Sequence, residues 1–306
     1  MGNHIEEMHN SPAPSRKPAK VAIVTDSVAQ VPKELAADLG IRVIPFFIHI
    51  EDKKYLDGID LDLQSLYRRM RQEKDLHPTT AAPSVGHFYN TFLECLEGGA
   101  ESVLYLGVST RLSATFSSAE GGANLVREQY PERQIILFDT LLGAIPQGFL
   151  AIEAARLAVQ GASIQQIIEQ VRMKRQRVGI LITLETLEYL ARGGRIGKAA
   201  YMLSSAIHIL PLITLGDDGA VSPVGRVRGH HRAMERIVDY VAEKASTARR
   251  LTLTVLHSDA LEAAQEMQIM AVERMHPDEI FIALFTPVIA AHTGPGTLGL
   301  GYSWDP

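Results

Sequence analysis

The chain has 306 residues, of which 46% are hydrophobic and 21% are charged, and its formal net charge is −5. This length and hydrophobic content can bury the cores of about two domains, which argues against a disordered chain. The acidic balance argues against a generic nucleic-acid-binding protein, because such proteins usually carry a strong positive excess. The single cysteine, Cys95, excludes an internal disulfide framework and a cysteine zinc site, so we expect a reducing, cytoplasmic setting.

Residues 1–20 mix charged residues with Pro and Ser and contain no apolar segment, so they predict a disordered tail rather than a signal peptide. The longer apolar runs elsewhere are interrupted by proline, whereas a membrane helix needs about 20 apolar residues. We therefore expect no membrane span, and we also expect no metal and no cofactor.

In the first half, short apolar runs alternate with segments typical of helices. Val21 to Val24 are apolar and are followed by the polar turn Thr25-Asp26-Ser27, as expected of a buried strand. The alternation predicts a parallel sheet with helices on both faces, forming an N-terminal α/β/α domain over residues 21–163. Strands are predicted at 21–24, 41–50, 102–108 and 134–138, and helices at 32–39, 61–71, 88–96, 113–129 and 149–160.

The second half has a different pattern and predicts another α/β domain, over residues 164–306, with a mixed or antiparallel sheet. The segment Asp217-Asp218-Gly219 lies between two apolar runs and predicts a tight hairpin turn. Strands are predicted at 179–182, 212–215, 221–224, 251–257 and 279–285, and helices at 164–175, 184–192, 232–244 and 261–275.

Two polar segments contain hydroxyl groups that are able to face a ligand, and the second of them lies beyond the carboxyl end of a predicted strand, where a parallel sheet binds ligands. Residues 77–84 form a proline-stiffened loop that contains Thr80, and Ser84 in it is a candidate N-cap of the next helix. Residues 109–116 join a strand to a helix, so the backbone N–H groups at the helix start favour an anion near Ser113. Helix capping is the structural alternative for Ser113.

Two further segments are rich in glycine. Residues 187–198 contain three glycines with Arg195 and Lys198, but the spacing is not that of a P-loop, and a simple helix stop is the structural alternative. His292 precedes a Gly-Pro-Gly turn and is able to donate a hydrogen bond or carry a proton near neutral pH. A lone histidine is more often structural, so His292 by itself is a weak signal.

Taken in order along the chain, these segments resemble the DegV family, the bacterial fatty-acid-binding proteins that serve as the B subunit of fatty acid kinase. The resemblance extends from Val21 almost to the C-terminus. The ordered set is more specific than any single motif. Its motifs are Val24-Thr25-Asp26-Ser27, Thr80-Ala81-Ala82-Pro83-Ser84, Leu112-Ser113-Ala114-Thr115-Phe116, Gly193-Gly194-Arg195-Ile196-Gly197-Lys198 and His292-Thr293-Gly294-Pro295-Gly296.

The resemblance implies that two α/β domains enclose one long-chain fatty acid in a tunnel, with the loop around His292 returning to the interface between them. It implies that Thr80 and Ser113 hold the carboxylate and that His292 lies nearby. Arg195 and Ala114 are further candidates for ligand binding. At position 114 this sequence has alanine where the family has glycine, which adds a methyl group beside the headgroup.

The resemblance also implies a partner, the A subunit, which uses ATP and magnesium to phosphorylate the bound acid. The B subunit presents the substrate and is not itself the enzyme. Residues 172–236 contain eleven Lys and Arg against five Asp and Glu, so this basic stretch is a candidate docking surface, and a transient contact with a membrane surface is also compatible with it. The candidate docking residues are Arg192, Lys198, Arg226 and Arg228.

The apolar tail would provide most of the binding free energy. A chain with about fourteen buried methylenes gains about 11 kcal/mol before ordering costs. Candidate lining residues are Phe46, Ile48, Phe88, Phe92, Phe116, Leu187, Met202, Ile207, Ile209 and Phe285.

Two other functions remain as alternatives. One is a lipid esterase that uses Ser113 as nucleophile and His292 as base, although no Gly-x-Ser-x-Gly elbow surrounds Ser113. The other is a regulatory protein that binds DNA through the basic stretch, although the chain is acidic and shows no recognisable helix-turn-helix pattern.

Overall fold

The structure is a computed structural model that describes residues 19–73, 75–202 and 209–306. The tail predicted for residues 1–20 falls almost entirely outside these ranges, as does the candidate lining residue Ile207. The strands are β1 (Val21–Asp26), β2 (Arg42–Ile44), β3 (Phe47–Ile50), β4 (Lys53–Leu56), β5 (Thr79–Ala81), β6 (Ser102–Gly107), β7 (Gln134–Asp139), β8 (Val178–Thr183), β9 (Ile209–Leu215), β10 (Val221–Arg228), β11 (Arg250–His257), β12 (Glu279–Leu284) and β13 (Leu298–Asp305). The α-helices are α1 (Lys33–Leu39), α2 (Leu63–Gln72), α3 (Val85–Glu97), α4 (Thr115–Gln129), α5 (Ala144–Val159), α6 (Ile164–Arg175), α7 (Glu188–Arg192), α8 (His230–Lys244), α9 (Leu261–Met275) and α10 (Pro287–Thr293).

The first sheet is parallel, with the strand order β2-β1-β6-β7. Every residue of its central strand β6 is buried. Leu104 and Leu106 pack on one side against α5 and α6, whereas Val103 and Tyr105 pack on the other side against α3 and α4. Because helices cover both faces, both faces of β6 must be apolar, and the predicted α/β/α architecture of the first half is confirmed.

A small antiparallel sheet, with the order β4-β3-β5, was not predicted. The single strand predicted at 41–50 is wrong, because the chain leaves the parallel sheet after β2 and passes through Pro45 before β3 begins. Thr80 pairs with Ile48 in this small sheet, so it lies on a strand and not in the predicted loop. Together with α2, the small sheet forms its own apolar core around Ile48 and Leu66, against which Tyr189 of the second half packs.

The second sheet has the order β10-β9-β8-β13-β11-β12 and is mixed, since only β11 and β12 run parallel. The mixed sheet and the hairpin turn at Asp217-Asp218-Gly219 are confirmed, and Gly219 has a positive φ of 76°. Strand β13 was missed, although it lies in the interior of this sheet. Its residues Gly299 and Gly301 obscured the strand pattern, and each lies so close to an isoleucine that a side chain would overlap it.

Some helices differ from the prediction at their ends. Helix α5 begins at Ala144 rather than at 149, and α7 is helical only from Glu188 onward. The proposed boundary at 163/164 assigns α6 to the second half, whereas α6 packs with α5 in the core of the first half. No helix within the described ranges is both long and apolar enough to cross a lipid bilayer.

Candidate functional site

A cavity lies between the two halves, at the carboxyl ends of the parallel strands. Val28 follows β1, Val108 follows β6, and Gly143 and Ala144 follow β7, and all four line the cavity. The second half supplies the opposite wall. The empty space measures about 870 Å³, including the part that opens to solvent.

Most of the cavity wall is apolar. Many of the side chains that face the cavity are isoleucine, valine and leucine from β8, β9, β10 and α10. Of the lining residues predicted from the sequence, Phe46 and Phe285 also face the cavity. The other predicted aromatic residues lie elsewhere. Phe88 and Phe92 pack against Tyr105 in the core beneath α3, so they support the sheet rather than the cavity. The predicted residues that do not line the cavity are Ile48, Phe88, Phe92, Phe116, Leu187, Met202 and Ile209.

Thr80 and His292 meet at this cavity although they are 212 residues apart. Thr80 Oγ1 lies 2.8 Å from Nε2 of His292. Thr80 is held by β5 of the small sheet, whereas His292 lies in the last turn of α10. The expectation of a loop around His292 was therefore wrong. Pro287 at the first helical position favours this short helix, and Gly294 terminates it with a positive φ of 77°.

The His292 ring is uncharged at neutral pH. Burial, assisted by the positive charge of Arg195, lowers the pKa of the imidazole from 6.5 to about 4. A neutral ring carries one N–H and one bare nitrogen. Nδ1 is buried and has no hydrogen-bond partner among the described residues. It faces Gly193, where a β-carbon would overlap the ring.

The two glycine-rich segments thus meet each other in space. Gly193 allows the close approach of the His292 ring, and Gly294 in turn lies against the ring of Tyr189 on α7. At Gly193 the backbone has an ordinary helical φ of −72°, so the absence of a side chain matters there for space and not for conformation. The helix stop that the sequence predicts at Gly193 is confirmed. The close approach of the His292 ring to Gly193 was not predicted.

Ser113 lies two residues before Thr115, the first residue of α4. Its Oγ is 2.5 Å from Thr115 Oγ1 and accepts a hydrogen bond of 3.2 Å from the Thr115 backbone N–H. The guanidinium of Arg195 donates to the carbonyl of Leu112, at 3.0 Å, and to the carbonyl of Gly193. Arg195 therefore joins the segment that carries Ser113 to the segment that faces His292. A positive side chain beside a helix N-terminus favours an anionic group here.

We refer to Thr80, Ser113, Arg195 and His292 as the polar cluster. All four line the cavity. Ala114 does not line it, and this residue is exposed at the N-cap position of α4. Ser113 and His292 do not form a nucleophile–base pair, because His292 Nε2 is engaged by Thr80 and Nδ1 has no orienting partner among the described side chains.

The candidate docking residues are all exposed. Arg192 contacts His77 and forms an ion pair with Glu188, and Lys198 forms an ion pair of 2.8 Å with Asp218. Arg226 donates to the carbonyl of Tyr201 at 3.1 Å. Arg226 and Arg228 lie on β10, the edge strand of the mixed sheet.

Asp26 holds together the loops at the base of the cavity, and the only sequence signal for this role is the polar turn that contains it. Its Oδ2 accepts from Tyr105 Oη at 2.8 Å and from the Val108 backbone N–H at 3.0 Å, while Oδ1 accepts from the Val28 N–H at 3.1 Å. Complete burial raises the pKa of this carboxyl, against the opposing effect of these donors. One side chain therefore fixes two of the loops that line the cavity.

No group of three or more His, Cys, Asp or Glu side chains within the described ranges is arranged to hold a metal ion.

Comparison with known proteins identifies the relatives of this chain. The model of a family described as "Uncharacterised protein, DegV family" matches residues 20–305. A DegV domain-containing protein from Halalkalibacterium halodurans is 32% identical over 285 residues, which cover 93% of this chain and 98% of the relative.

Solved structures agree with the sequence match. A DegV family protein from Thermus thermophilus, described as binding fatty acid, is 30% identical and superimposes with a TM-score of 0.85 over 93% of this chain and 99% of its own. DegV from Bacillus subtilis, described as a fatty acid binding protein, is 28% identical and gives a TM-score of 0.82 over 93% and 99%. The sequence resemblance is confirmed, and this chain belongs to the DegV family.

Proposed function

We propose that this protein binds one long-chain fatty acid, with its acyl tail in the cavity and its carboxylate at the polar cluster. The observation that carries the proposal is the cavity itself, an apolar space between two domains into which Thr80, Ser113, Arg195 and His292 all reach. The solved relatives described as fatty-acid-binding proteins support the same ligand class.

The apolar wall suits the tail. Burial of about fourteen methylenes gains about 11 kcal/mol before the costs of ordering the ligand and the protein. This binding free energy does not require directional contacts with the wall, because the hydrophobic effect depends on the apolar area that is removed from water.

The polar cluster suits the carboxylate, which is costly to bury unless it accepts hydrogen bonds. In the proposed arrangement, the N–H of His292 is on Nε2 and donates to Thr80 Oγ1, so that the Thr80 hydroxyl hydrogen is free to donate to the carboxylate. Ser113 supplies a second hydroxyl, and Arg195 supplies positive charge. The unpartnered Nδ1 is then the bare nitrogen, which leaves no buried N–H without an acceptor.

We further propose that the bound acid is presented to a separate kinase subunit, which phosphorylates its carboxylate with ATP. The family resemblance and the exposed basic residues Arg192, Lys198, Arg226 and Arg228 support this proposal. The cavity must open at the polar cluster for the carboxylate oxygen to meet the γ-phosphate in line. The exposed basic residues alone do not favour the DNA-binding alternative over a protein partner.

Native mass spectrometry of the purified protein tests the ligand directly. We expect a co-purified acid with the mass of a long-chain fatty acid. Ser113→Ala should weaken the binding of added palmitate by about 2 kcal/mol, roughly thirtyfold, because a hydrogen bond to a charged group is lost. Ser117→Ala changes an exposed serine in the first turn of α4 and is the matched control. Equal affinities of the Ser113 variant and the wild type would contradict the proposed headgroup site.

Charge reversal tests the proposed docking surface. The double variant Arg226→Glu and Arg228→Glu should slow ATP-dependent acyl phosphate formation by the kinase subunit while the dissociation constant for palmitate stays unchanged. Arg156→Glu, an exposed position on α5, is the control. Unchanged turnover in the double variant would place the docking surface elsewhere.

A further inference from the structure

We propose that Asp57 is a positioning residue for His292, because it caps the N-terminus of the helix that carries the histidine. The inference deepens the proposed function and rests on it for its consequence in ligand binding. Asp57 is 3% exposed and follows β4 of the small sheet, so it approaches α10 from a different part of the chain.

The capping contact is direct. Asp57 Oδ1 accepts a hydrogen bond of 3.0 Å from the backbone N–H of Val288, the second residue of α10. Pro287 before it has no N–H to offer. Thr286 occupies the N-cap position but makes no capping bond with its side chain. Asp57 therefore acts as the capping side chain in place of Thr286, although it lies 231 residues before Val288.

The small sheet holds both ends of α10. At the start of the helix Asp57 binds Val288, and at its end Thr80 binds His292 at 2.8 Å. A helix of seven residues is only about 10 Å long, so loss of its first capped turn reaches the last turn readily. The Asp57 backbone N–H also donates, at 2.9 Å, to the carbonyl of Phe46, the residue before β3, which fixes the Asp57 backbone beside the small sheet.

The surroundings of Asp57 indicate which variants are informative. Burial raises the pKa of its carboxyl to about 6, and the Asp26 charge acts in the same direction, against the hydrogen bond from Val288 and the nearby hydroxyls of Ser27 and Thr286. Asp57 itself helps to raise the pKa of the neighbouring Tyr67. Asparagine removes the buried charge but keeps an oxygen for the Val288 N–H, whereas alanine removes the cap altogether.

The experiment compares Asp57→Ala and Asp57→Asn with Ser163→Ala. Ser163 caps α6 through a 3.3 Å bond from the Gln166 N–H and does not line the cavity, so its variant loses a cap of the same kind without touching α10. With the fluorescent fatty acid cis-parinaric acid as the probe, we expect Asp57→Ala to bind about tenfold more weakly. Asp57→Asn should stay within about threefold of the wild type, and Ser163→Ala should bind like the wild type.

A second measurement does not depend on binding. The imidazole nitrogen signals of His292, assigned by their loss in His292→Gln, should shift in Asp57→Ala and should be unchanged in Ser163→Ala. If the wild type fails to bind the probe, the proposed function fails, but these signals still test the cap.

Unshifted His292 signals in a folded Asp57→Ala variant, or equal losses of affinity in Asp57→Ala and Ser163→Ala, would overturn the inference. Should Asp57→Ala not fold, Asp57→Ser replaces it, because a hydroxyl one atom shorter also loses the bond to Val288 while remaining polar. The same shift and the same tenfold loss are expected for it, and their absence overturns the inference equally.

Discussion

The polar cluster and the apolar wall of the cavity follow different physical rules. The wall is built from many similar side chains on several elements, and each contributes in proportion to the area it buries. The polar cluster consists of four side chains whose contacts are directional, such as the 2.8 Å pair of Thr80 and His292. Affinity and orientation are therefore separable here, with affinity expected from the wall and orientation from the polar cluster.

Shortening the acyl chain of the ligand reduces the binding free energy that the wall provides, and this change should have the largest effect on affinity. A change from about sixteen to about ten carbons removes about six methylenes and should cost up to about 5 kcal/mol. Titration calorimetry with a series of saturated acids measures this slope. Ser113→Ala should shift the whole series by a constant amount, since the hydroxyl does not contact the tail. An affinity that is independent of chain length would show that the wall does not receive the tail.

The pH dependence of protein stability tests whether the polar cluster holds His292 as a buried, neutral ring. The pKa of His292 is about 4 in the folded protein and 6.5 without burial, so the folded state resists protonation. Its contribution to stability is complete above pH 6.5 and is lost as the pH falls from 6.5 to 4, by about 3 kcal/mol in total. Chemical denaturation measures the free energies of unfolding of the wild type and of His292→Gln. The difference between the two should become smaller as the pH falls from 6.5 to 4. A constant difference would contradict the burial of a neutral ring.

Gly193→Ala tests how tightly the polar cluster is packed and should have the smallest effect. The new methyl group overlaps His292 Nδ1, so the ring must move away from Thr80. Overpacking of this kind costs about 1 kcal/mol or more, and we expect palmitate to bind roughly fivefold more weakly. Gly86→Ala is the control, because a β-carbon there meets only the Ser84 side chain at 3.8 Å. Unchanged binding by Gly193→Ala would mean that the position of the ring does not matter.

Much of the fold could be predicted from local patterns. Strands β1 and β6 are apolar runs buried in a parallel sheet, and their signal is strong because both faces of such a sheet are covered. The small sheet could not be predicted in this way, because its strands contain only three or four residues and are stabilised by pairing with each other. Helix α10 was missed for a similar reason, since seven residues give too short a pattern.

Local patterns along the chain are enough to predict the alternation of buried strands and helices, the hairpin at Gly219 and the motifs that contain Thr80, Ser113, Arg195 and His292, because these features depend on neighbouring residues. Which of these segments meet depends on how the whole chain packs. The pair of Thr80 and His292, the cap that Asp57 gives to α10 and the contact of Gly193 with the histidine ring all join distant segments. Hydrogen bonds and close packing act over a few ångströms in space, whatever the separation in sequence, so local patterns do not encode these contacts.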